Sequence, residues 1–555
     1  MSTTTPALVT RSTRRALLLA SAALGAGLSV PHGLRAQSGS ASAQGGAETV
    51  LRIAMTASDI PLTAGQPDNG FEGYRFTGYT IYDALVNWDL SSADKASDIR
   101  PGLATEWSPK PDDPKIWTIK LRQGVKFHDG SAFNADAVIW NFEKIFNDKS
   151  PQYAPDQSAQ VSGRISSLKS YRKVDDGTVE ITTKAPDSFF PYQLTYVLYS
   201  SPTHWEQVGR DWNKFSQRPS GTGPFRVVNV VPRERLELVP NRDYWEKDRI
   251  PRMDKIVLMP VPEASARTAA LLSGQVDWIE APAPDAIPRM QSSGYQITSN
   301  PYPHIWSWHL SRLPDSPWND IRVRKAANLA VDREGMKAML RGMMQPARGH
   351  VLPTSPWFGD PSFELRHDPK EAIRLMTEAG YSKQKPLKVT VRISASGSGQ
   401  MQPLPMNEFM QESLKDVGFD VSFEVMEWES LLSHWRAGAA ADVNKGASAV
   451  NVSYATIDPF SAFVRFMQTS QIPPGGLNWG HFSDPKLDEL MARARATFDT
   501  QERDRILAEV HTYAVDQALF LWVAHDVNPR AISPRVKGFV QAQNWFQDLT
   551  PVRIE

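Results

Sequence analysis

The stretch WTIKLRQGVKFHDGSAFNADAVIWNFEKIF, residues 117–146, holds the clearest local signals in the chain and decides the first structural expectation. Trp117, Ile119 and Leu121 alternate with polar side chains at its start. Successive side chains of a strand point to opposite faces, so this period of two predicts a half-buried strand.

The second half of the stretch predicts a turn followed by a helix. We expect another short strand at residues 125–127 and then a tight turn at Asp129-Gly130, because glycine takes a positive φ without steric cost. Apolar side chains recur at helical spacing over residues 135–146, and Asn134 stands where its side chain would cap that helix. The whole stretch is therefore predicted to form a hairpin, a turn and a capped helix.

The string LRQGVKFHDGSAFNADAV, residues 121–138, resembles the signature of extracellular solute-binding proteins of ABC importers, in the peptide/nickel/opine group known as family 5. Further segments similar to that family are PGLATEW at 101–107, GTGPFR at 221–226, NRDYW at 241–245, RTAALLSGQVD at 267–277 and IRVRKAANLAVDR at 321–333. The resemblance extends over roughly residues 50–550. It implies an α/β, periplasmic-binding-protein-like fold of the cluster C type, with two lobes, a hinge and an extra α+β subdomain.

The chain has 555 residues, too many for one compact core, and several domains are expected. The resemblance implies these limits: a signal peptide at 1–36, a flexible mature start at 37–48, lobe I at 49–90 with 215–303 and 522–555, an inserted subdomain at 91–214, and lobe II at 304–521.

The N-terminus carries a predicted export signal. Arg14-Arg15 precedes an Ala- and Leu-rich run at residues 16–30, a pattern that resembles a twin-arginine signal. The run is too short to span a bilayer as a mature helix. Cleavage after Ala36 or after Ala43 is compatible with the sequence, and an ordinary secretory signal is the alternative. We expect a periplasmic protein of a Gram-negative bacterium.

Composition and motifs exclude several functional classes. Lys plus Arg (61) equals Asp plus Glu (61), so the chain lacks the basic excess typical of nucleic-acid binding. It has no Cys, which excludes disulfides, thiolate metal sites and a lipidated cysteine. The sequence contains no HExxH, Walker A or GxSxG motif. We therefore expect no enzyme activity, no cofactor and no resident metal. His128 and His309 are interpreted as structural.

Aromatic residues are the first candidates for ligand contacts, since solute pockets are mostly apolar with a few aimed polar groups. Tyr74 and Tyr79 follow a loop rich in Gly and Asn, and Trp306 and Trp308 share one face of a predicted strand where the chain should cross between lobes. Packing is the alternative for each. The remaining candidates, from segments that the resemblance places near the cleft, are Trp428, Tyr454, Thr456, Asp458 and Trp479.

One position departs from the family pattern. Peptide-binding members carry an Asp four residues before the Pro that ends a strand-loop element, where it neutralises the free α-amino group of the peptide. Here that position is Ala455, before Pro459. A buried ammonium without a carboxylate costs several kcal/mol. Ordinary peptides are therefore not expected to bind in that mode, and Asp458 is interpreted as a loop residue rather than a substitute. Arg436 either meets an acidic ligand group or lies on a solvated helix face, and we favour the latter.

The resemblance implies a monomeric periplasmic component of an ABC importer. It would capture a peptide-like or opine-like small solute and deliver it to an inner-membrane permease, without bound nucleic acid. The alternatives are an exported chaperone-like protein and a metal-chelate-binding protein on the same fold.

Overall fold

The structure, a computed structural model, describes residues 48–555. The predicted signal at 1–36 and residues 37–47 of the predicted mature start lie outside the described residues. The strands are β1 (Val50–Met55), β2 (Val86–Trp88), β3 (Ile99–Pro101), β4 (Ala104–Pro109), β5 (Ile116–Leu121), β6 (Leu168–Asp175), β7 (Thr178–Thr183), β8 (Phe225–Val231), β9 (Arg235–Pro240), β10 (Lys255–Pro260), β11 (Trp278–Glu280), β12 (Gln296–Thr298), β13 (His304–Leu310), β14 (Gln345–Pro346), β15 (Leu387–Ser394), β16 (Phe419–Met426), β17 (Ala449–Ala455), β18 (Phe520–His525), β19 (Arg530–Ile532), β20 (Val536–Lys537) and β21 (Arg553–Ile554).

The longer α-helices are Ala135–Phe146, Pro155–Val161, Pro202–Gln207, Trp212–Gln217, Ala264–Leu272, Ile287–Ser292, Ile321–Ala330, Arg333–Met339, Pro369–Glu378, Pro403–Lys415, Trp428–Ala437, Pro485–Ala496 and Thr500–Asp516. Short helical turns occur at Gly70–Gly73, Tyr79–Ile81, Phe190–Gln193 and Arg465–Met467, with π-helical turns at Tyr74–Gly78 and Phe460–Val464. Within residues 48–555, no helix combines the length and the apolar character needed to cross a bilayer.

Two mixed sheets form the centres of two lobes. The first has seven strands in the order β12-β19-β11-β1-β10-β9-β8, with β1 parallel to both β10 and β11. The second has six strands in the order β14-β18-β13-β17-β15-β16, with β15 parallel to β16 and β17. Every residue of β13 and β17 is buried, so these strands lie in the middle of the second lobe.

A four-stranded antiparallel sheet, β4-β5-β7-β6, forms the extra subdomain together with the helix Ala135–Phe146. The predicted alternation in β5 is confirmed, because Trp117, Ile119 and Leu121 are buried. The predicted cap is confirmed as well, since the Asn134 side chain accepts a hydrogen bond from the backbone N–H of Ala137 at 3.1 Å. The opening stretch therefore supplies one strand and the covering helix of this subdomain.

One local prediction was wrong. Residues 125–127 form no strand of their own. Lys126 instead makes an isolated antiparallel bridge with Ala132 across the turn, because the connection is too short for a ladder. His128 fixes this turn by hydrogen bonding through Nε2 to the Gly223 carbonyl at 2.9 Å, which supports its structural interpretation.

Two chain segments cross between the lobes side by side, one between β12 and β13 and the other between β18 and β19. The Asn300 N–H donates to the Val527 carbonyl at 2.9 Å, and the Asp526 N–H donates to the His304 carbonyl at 3.1 Å. The Tyr302 hydroxyl donates to Asp526 Oδ2 at 2.9 Å. These bonds join the two crossings into a narrow connection of the kind that absorbs hinge motion.

The predicted return to the first lobe at residue 522 lies too early. β18 runs from Phe520 to His525 and pairs with β13 throughout, so it belongs to the six-stranded sheet. Its fully buried apolar run keeps it in that core, and the chain re-enters the first sheet with β19.

Candidate functional site

A cavity of about 500 Å³ lies between the two lobes. The first lobe and the subdomain contribute Gly70, Phe71, Lys184 and residues from 159 to 166. The second lobe contributes side chains from β13, β17, the helix Trp428–Ala437 and the segment at 465–477. A space of this size fits a small solute, since ligand pockets commonly enclose 300–1,000 Å³.

The charged residues of this lining all have the same sign. They are Arg164, Lys184, Arg436 and Arg465. No Asp or Glu of residues 48–555 lines this cavity. Lys184 is exposed at the edge and donates through Nζ to the Ser166 carbonyl at 2.8 Å. The cavity therefore presents a concentrated positive charge to its contents.

Arg164 is held against aromatic rings rather than against a carboxylate. Its guanidinium carbon lies 4.7 Å from the ring centre of Phe71, 5.2 Å from that of Tyr74 and 5.0 Å from that of Tyr196. Its Nε donates to the Gln160 carbonyl at 3.0 Å, whereas the buried Nη1 has no hydrogen-bond partner in the described part of the chain. The rings orient this cation and leave its hydrogen-bonding capacity open.

Arg436 and Arg465 approach from the second lobe. Arg436 Nη2 donates to Gln160 Oε1 at 3.2 Å, which links the helix Trp428–Ala437 to the subdomain. The Arg465 side chain forms neither a hydrogen bond nor an ion pair with any residue from 48 to 555, although the residue is only 8% exposed. Burial, together with the nearby Arg164 charge, lowers the pKa of Arg465 to about 9, so it stays protonated at neutral pH.

The rest of the wall is aromatic. Phe71, Trp428, Trp435 and Tyr454 line the cavity. The indole N–H of Trp428 is buried without an acceptor among the described residues. Such faces can stack a flat or apolar part of a solute. His304 also lines the cavity, and burial lowers its pKa to about 3, so its ring is neutral.

The structure places the sequence candidates in four groups. Trp428 and Tyr454 line the cavity. Tyr74 lies behind it, where its hydroxyl donates to the Tyr196 carbonyl at 3.0 Å, and Tyr79 donates to the Thr195 carbonyl at 2.7 Å. These two residues support the wall without reaching the cavity.

Three further candidates are core residues. Trp306 Nε1 donates to the Gln400 carbonyl at 3.1 Å and Trp308 Nε1 to Asn407 Oδ1 at 2.9 Å, both on one face of β13 as the alternation predicts. Trp479 belongs to the apolar core of the second lobe. None of these three residues lines the cavity: the β13 face that carries Trp306 and Trp308 packs into its own lobe, and Trp479 is enclosed in the apolar core.

The segment after β17 is structural. Asp458 Oδ1 accepts from the Ser461 N–H at 2.9 Å and so caps the following helical turn, while burial raises the pKa of its carboxyl. Thr456 is buried, and its hydroxyl has no partner within residues 48–555. Neither of these two candidates lines the cavity. Ala455 is buried at the end of β17.

Sequence reasoning missed Arg164 and Arg465. Both are single arginines in ordinary helical turns, and nothing in their local sequence distinguishes them from solvated residues. The interpretation of Arg436 as solvated was wrong, because it reaches the Gln160 side chain across the cleft. The missing signal is tertiary, since these residues come from three separate segments.

A second, smaller cavity of about 190 Å³ lies beside the hinge, and its lining includes the paired charges of Arg75 and Glu280. Arg75 forms an ion pair with Glu280, and Arg530 Nε lies 3.0 Å from Glu280 Oε1. Trp278 Nε1 donates to the same oxygen at 2.8 Å. No cluster of three or more His, Asp or Glu side chains with metal-binding geometry occurs in residues 48–555.

Comparison with known proteins gives a consistent result. The family described as "Bacterial extracellular solute-binding proteins, family 5 Middle" matches residues 98–473. Heme-binding protein A of Haemophilus influenzae is 27% identical over 487 residues, which cover 84% of this chain and 86% of that protein. The dipeptide-binding protein of Escherichia coli is 26% identical over 525 residues, which cover 89% of this chain and 94% of that protein.

A solved structure shows the same fold. The periplasmic binding protein DppA from Helicobacter pylori, in complex with the peptide STSA, has a TM-score of 0.78 and 23% identity. The match covers 91% of this chain and 98% of that one. Together with the match of the family over most of the sequence, this establishes that the chain belongs to the bacterial extracellular solute-binding proteins, family 5.

Proposed function

We propose that this protein captures a peptide-like or opine-like small solute between its lobes and delivers it, chemically unchanged, to an ABC permease in the inner membrane. The observation that carries the proposal is the cavity of about 500 Å³ lined from both lobes. Two hydrogen-bonded crossings connect those lobes, and a hinge of this form lets a solute enter and leave.

The proposal includes the setting in which the protein works. Export through a twin-arginine signal would deliver a monomer to the periplasm. Lobe I would comprise residues 49–90, 215–303 and 526–555, lobe II residues 304–525, and the inserted subdomain residues 91–214. Enzyme activity is not part of the proposal, since the lining holds no pair of groups arranged as a nucleophile and its base within the described chain.

Mass spectrometry of the material released by denaturing the purified mature protein tests this function. We expect a small solute in near-stoichiometric amount, and its return should raise the thermal midpoint and change tryptophan fluorescence. Trp428→Phe should reduce the fluorescence change, while Trp107→Phe, in the subdomain sheet, serves as the control. Failure of every released or added small solute to bind would overturn the proposal. Selective capture of unfolded chains would favour the chaperone-like alternative, and a bound metal the chelate-binding one.

A further inference from the structure

We infer that the solute is a small acid, and that Arg164, Arg436 and Arg465 hold its carboxylate or phosphate groups against the aromatic wall. This inference rests on the proposed function and names the chemical class of its ligand. It starts from the single sign of the charges around the cavity, where Arg164, Lys184, Arg436 and Arg465 face the interior and no acidic side chain of residues 48–555 does.

Other buried arginines of this protein have protein partners. Arg333 Nη2 donates to the Trp522 carbonyl at 2.7 Å, and its Nη1 donates to the Asn328 carbonyl at 2.9 Å. Arg530 is paired with Glu280. Arg465 is buried to a similar degree but has no such partner among residues 48–555. A buried arginine side chain without a protein partner is therefore a feature of the cavity and not of the fold in general.

Removing a cation from water without a counter-charge is unfavourable, and placing several guanidinium groups together adds repulsion. Each of Arg436 and Arg465 has its pKa lowered, first by burial and also by the charge of Arg164. A ligand oxyanion between them would remove both penalties and could accept paired N–H donors, which match the geometry of carboxylate and phosphate. The binding energy would then come from giving acceptors to guanidinium N–H donors that have none in the protein.

The nearby acids supply this counter-charge only in part. Glu429 stands on the same helix as Arg436 but forms no ion pair with it, and burial with the neighbouring Asp68 charge raises the pKa of Glu429 to about 7. Asp458, near Arg465, is committed to capping through Ser461, and burial raises its pKa too. The arginines therefore remain the dominant charges.

The lining also restricts which groups the rest of the ligand can carry. A free α-amino group needs a carboxylate, and the cavity lining offers none among the described residues, while position 455 is Ala. The aromatic wall of Phe71, Trp428, Trp435 and Tyr454 favours a flat or apolar portion instead. The ligand class is a net-negative small molecule with at least one oxyanion and an aromatic or planar part.

A charge-sorted thermal-shift panel at constant ionic strength tests the inference on the full mature protein. The panel covers common small metabolites and includes four matched probes. N-acetyl-Glu-Phe carries carboxylates and phenyl phosphate carries a phosphate. N-acetyl-Gln-Phe amide is the neutral counterpart of the first probe, and Ala-Phe is zwitterionic. We expect the strongest stabiliser to be an acid, and the order of carboxylate and phosphate probes identifies the preferred oxyanion.

Arginine variants then connect that binding to the site. Arg465→Gln and Arg164→Gln should weaken the best acid about tenfold or more, and Arg465→Lys should retain part of the affinity as a folded conservative variant. Arg374→Gln, at an exposed position of the helix Pro369–Glu378, is the matched control and should leave binding unchanged. Circular dichroism confirms that each variant is folded.

The outcomes separate the two proposals. This inference is overturned if the best ligand is neutral, zwitterionic or cationic. It is also overturned if an acid binds Arg465→Gln as tightly as it binds the unmodified protein. Either result leaves the solute-binding function standing. Absence of binding by any released or added solute, whatever its charge, overturns both.

Discussion

The hinge and the cleft hold buried arginines in opposite ways. Beside the hinge, Arg75 and Arg530 share Glu280, and all three side chains are almost fully buried. In the cleft, Arg164 and Arg465 are buried without any carboxylate partner from residues 48–555. A charge that is paired inside the protein serves the fold, whereas a charge left open at a cavity is available to a ligand.

Neutralising the shared hinge carboxylate should have the largest effect. Glu280→Gln leaves two buried guanidinium groups without their counter-charge, and we expect the free energy of unfolding to fall by about 3–5 kcal/mol. Urea denaturation measures this loss. Glu371→Gln removes a partner of the exposed Arg374, and solvent screening should make its effect on stability much smaller. Equal losses in the two variants would contradict a structural role for the hinge cluster.

A buried ion pair between the inserted subdomain and the second lobe should also stabilise the fold. Arg495 Nη2 lies 2.8 Å from Asp187 Oδ2, and the Asp187 side chain is fully buried. Asp187→Asn keeps the shape but removes the charge, and we expect a loss of about 2 kcal/mol in unfolding free energy. Asp176→Asn, whose partner Lys173 is exposed, is the control. Urea denaturation measures both losses. Equal losses of unfolding free energy in the two variants would show that the Asp187–Arg495 pair does not stabilise the fold.

Replacing an arginine of the cleft should behave differently from replacing one at the hinge. Arg465→Met removes an unpaired buried charge, so the unfolding free energy of the ligand-free protein should be unchanged or rise by about 1 kcal/mol. Arg75→Met, the matched variant at the hinge, should lose about 3 kcal/mol or more. Chemical denaturation of both proteins measures the contrast. Comparable losses would show that Arg465 stabilises the fold.

The smallest expected effect is a pH dependence of acid binding. The pKa of Glu429 is raised to about 7 by burial and by the charge of Asp68. Below that pH its carboxyl is neutral, and above it the new negative charge offsets part of the field of Arg436. The affinity for an acidic solute should therefore fall by about two- to threefold between pH 6 and pH 8. Titrations at both pH values should show this fall in the unmodified protein and its absence in Glu429→Gln. An unchanged slope in the variant would assign the pH dependence elsewhere.

The sequence predicted what depends on local periodicity. The alternation in β5 and the Asn134 cap came from spacing alone, and both are observed. The second strand at residues 125–127 failed, because tight turns and two-strand ladders use the same residue types. The predicted return to the first lobe at residue 522 lies too early, because a buried apolar strand has the same sequence pattern in either lobe.

The choice of site candidates from the sequence has a similar physical limit. Trp428 and Tyr454 line the cavity, but Trp306 and Trp308 pack into the core of their own lobe. Alternation shows which residues share a face and not what that face meets. The positive lining could not be predicted, because Arg164, Arg436 and Arg465 are brought together by tertiary structure and a buried charge has no local sequence signature.

The most direct test of the account is a calorimetric titration of the unmodified protein and of Arg465→Gln with the best acidic solute from the panel, followed by chemical analysis of the solute recovered. The account predicts one-to-one binding, a solute recovered intact, and affinity at least about tenfold weaker in the variant. Equal affinity in the two proteins, or a solute that returns chemically altered, would contradict it.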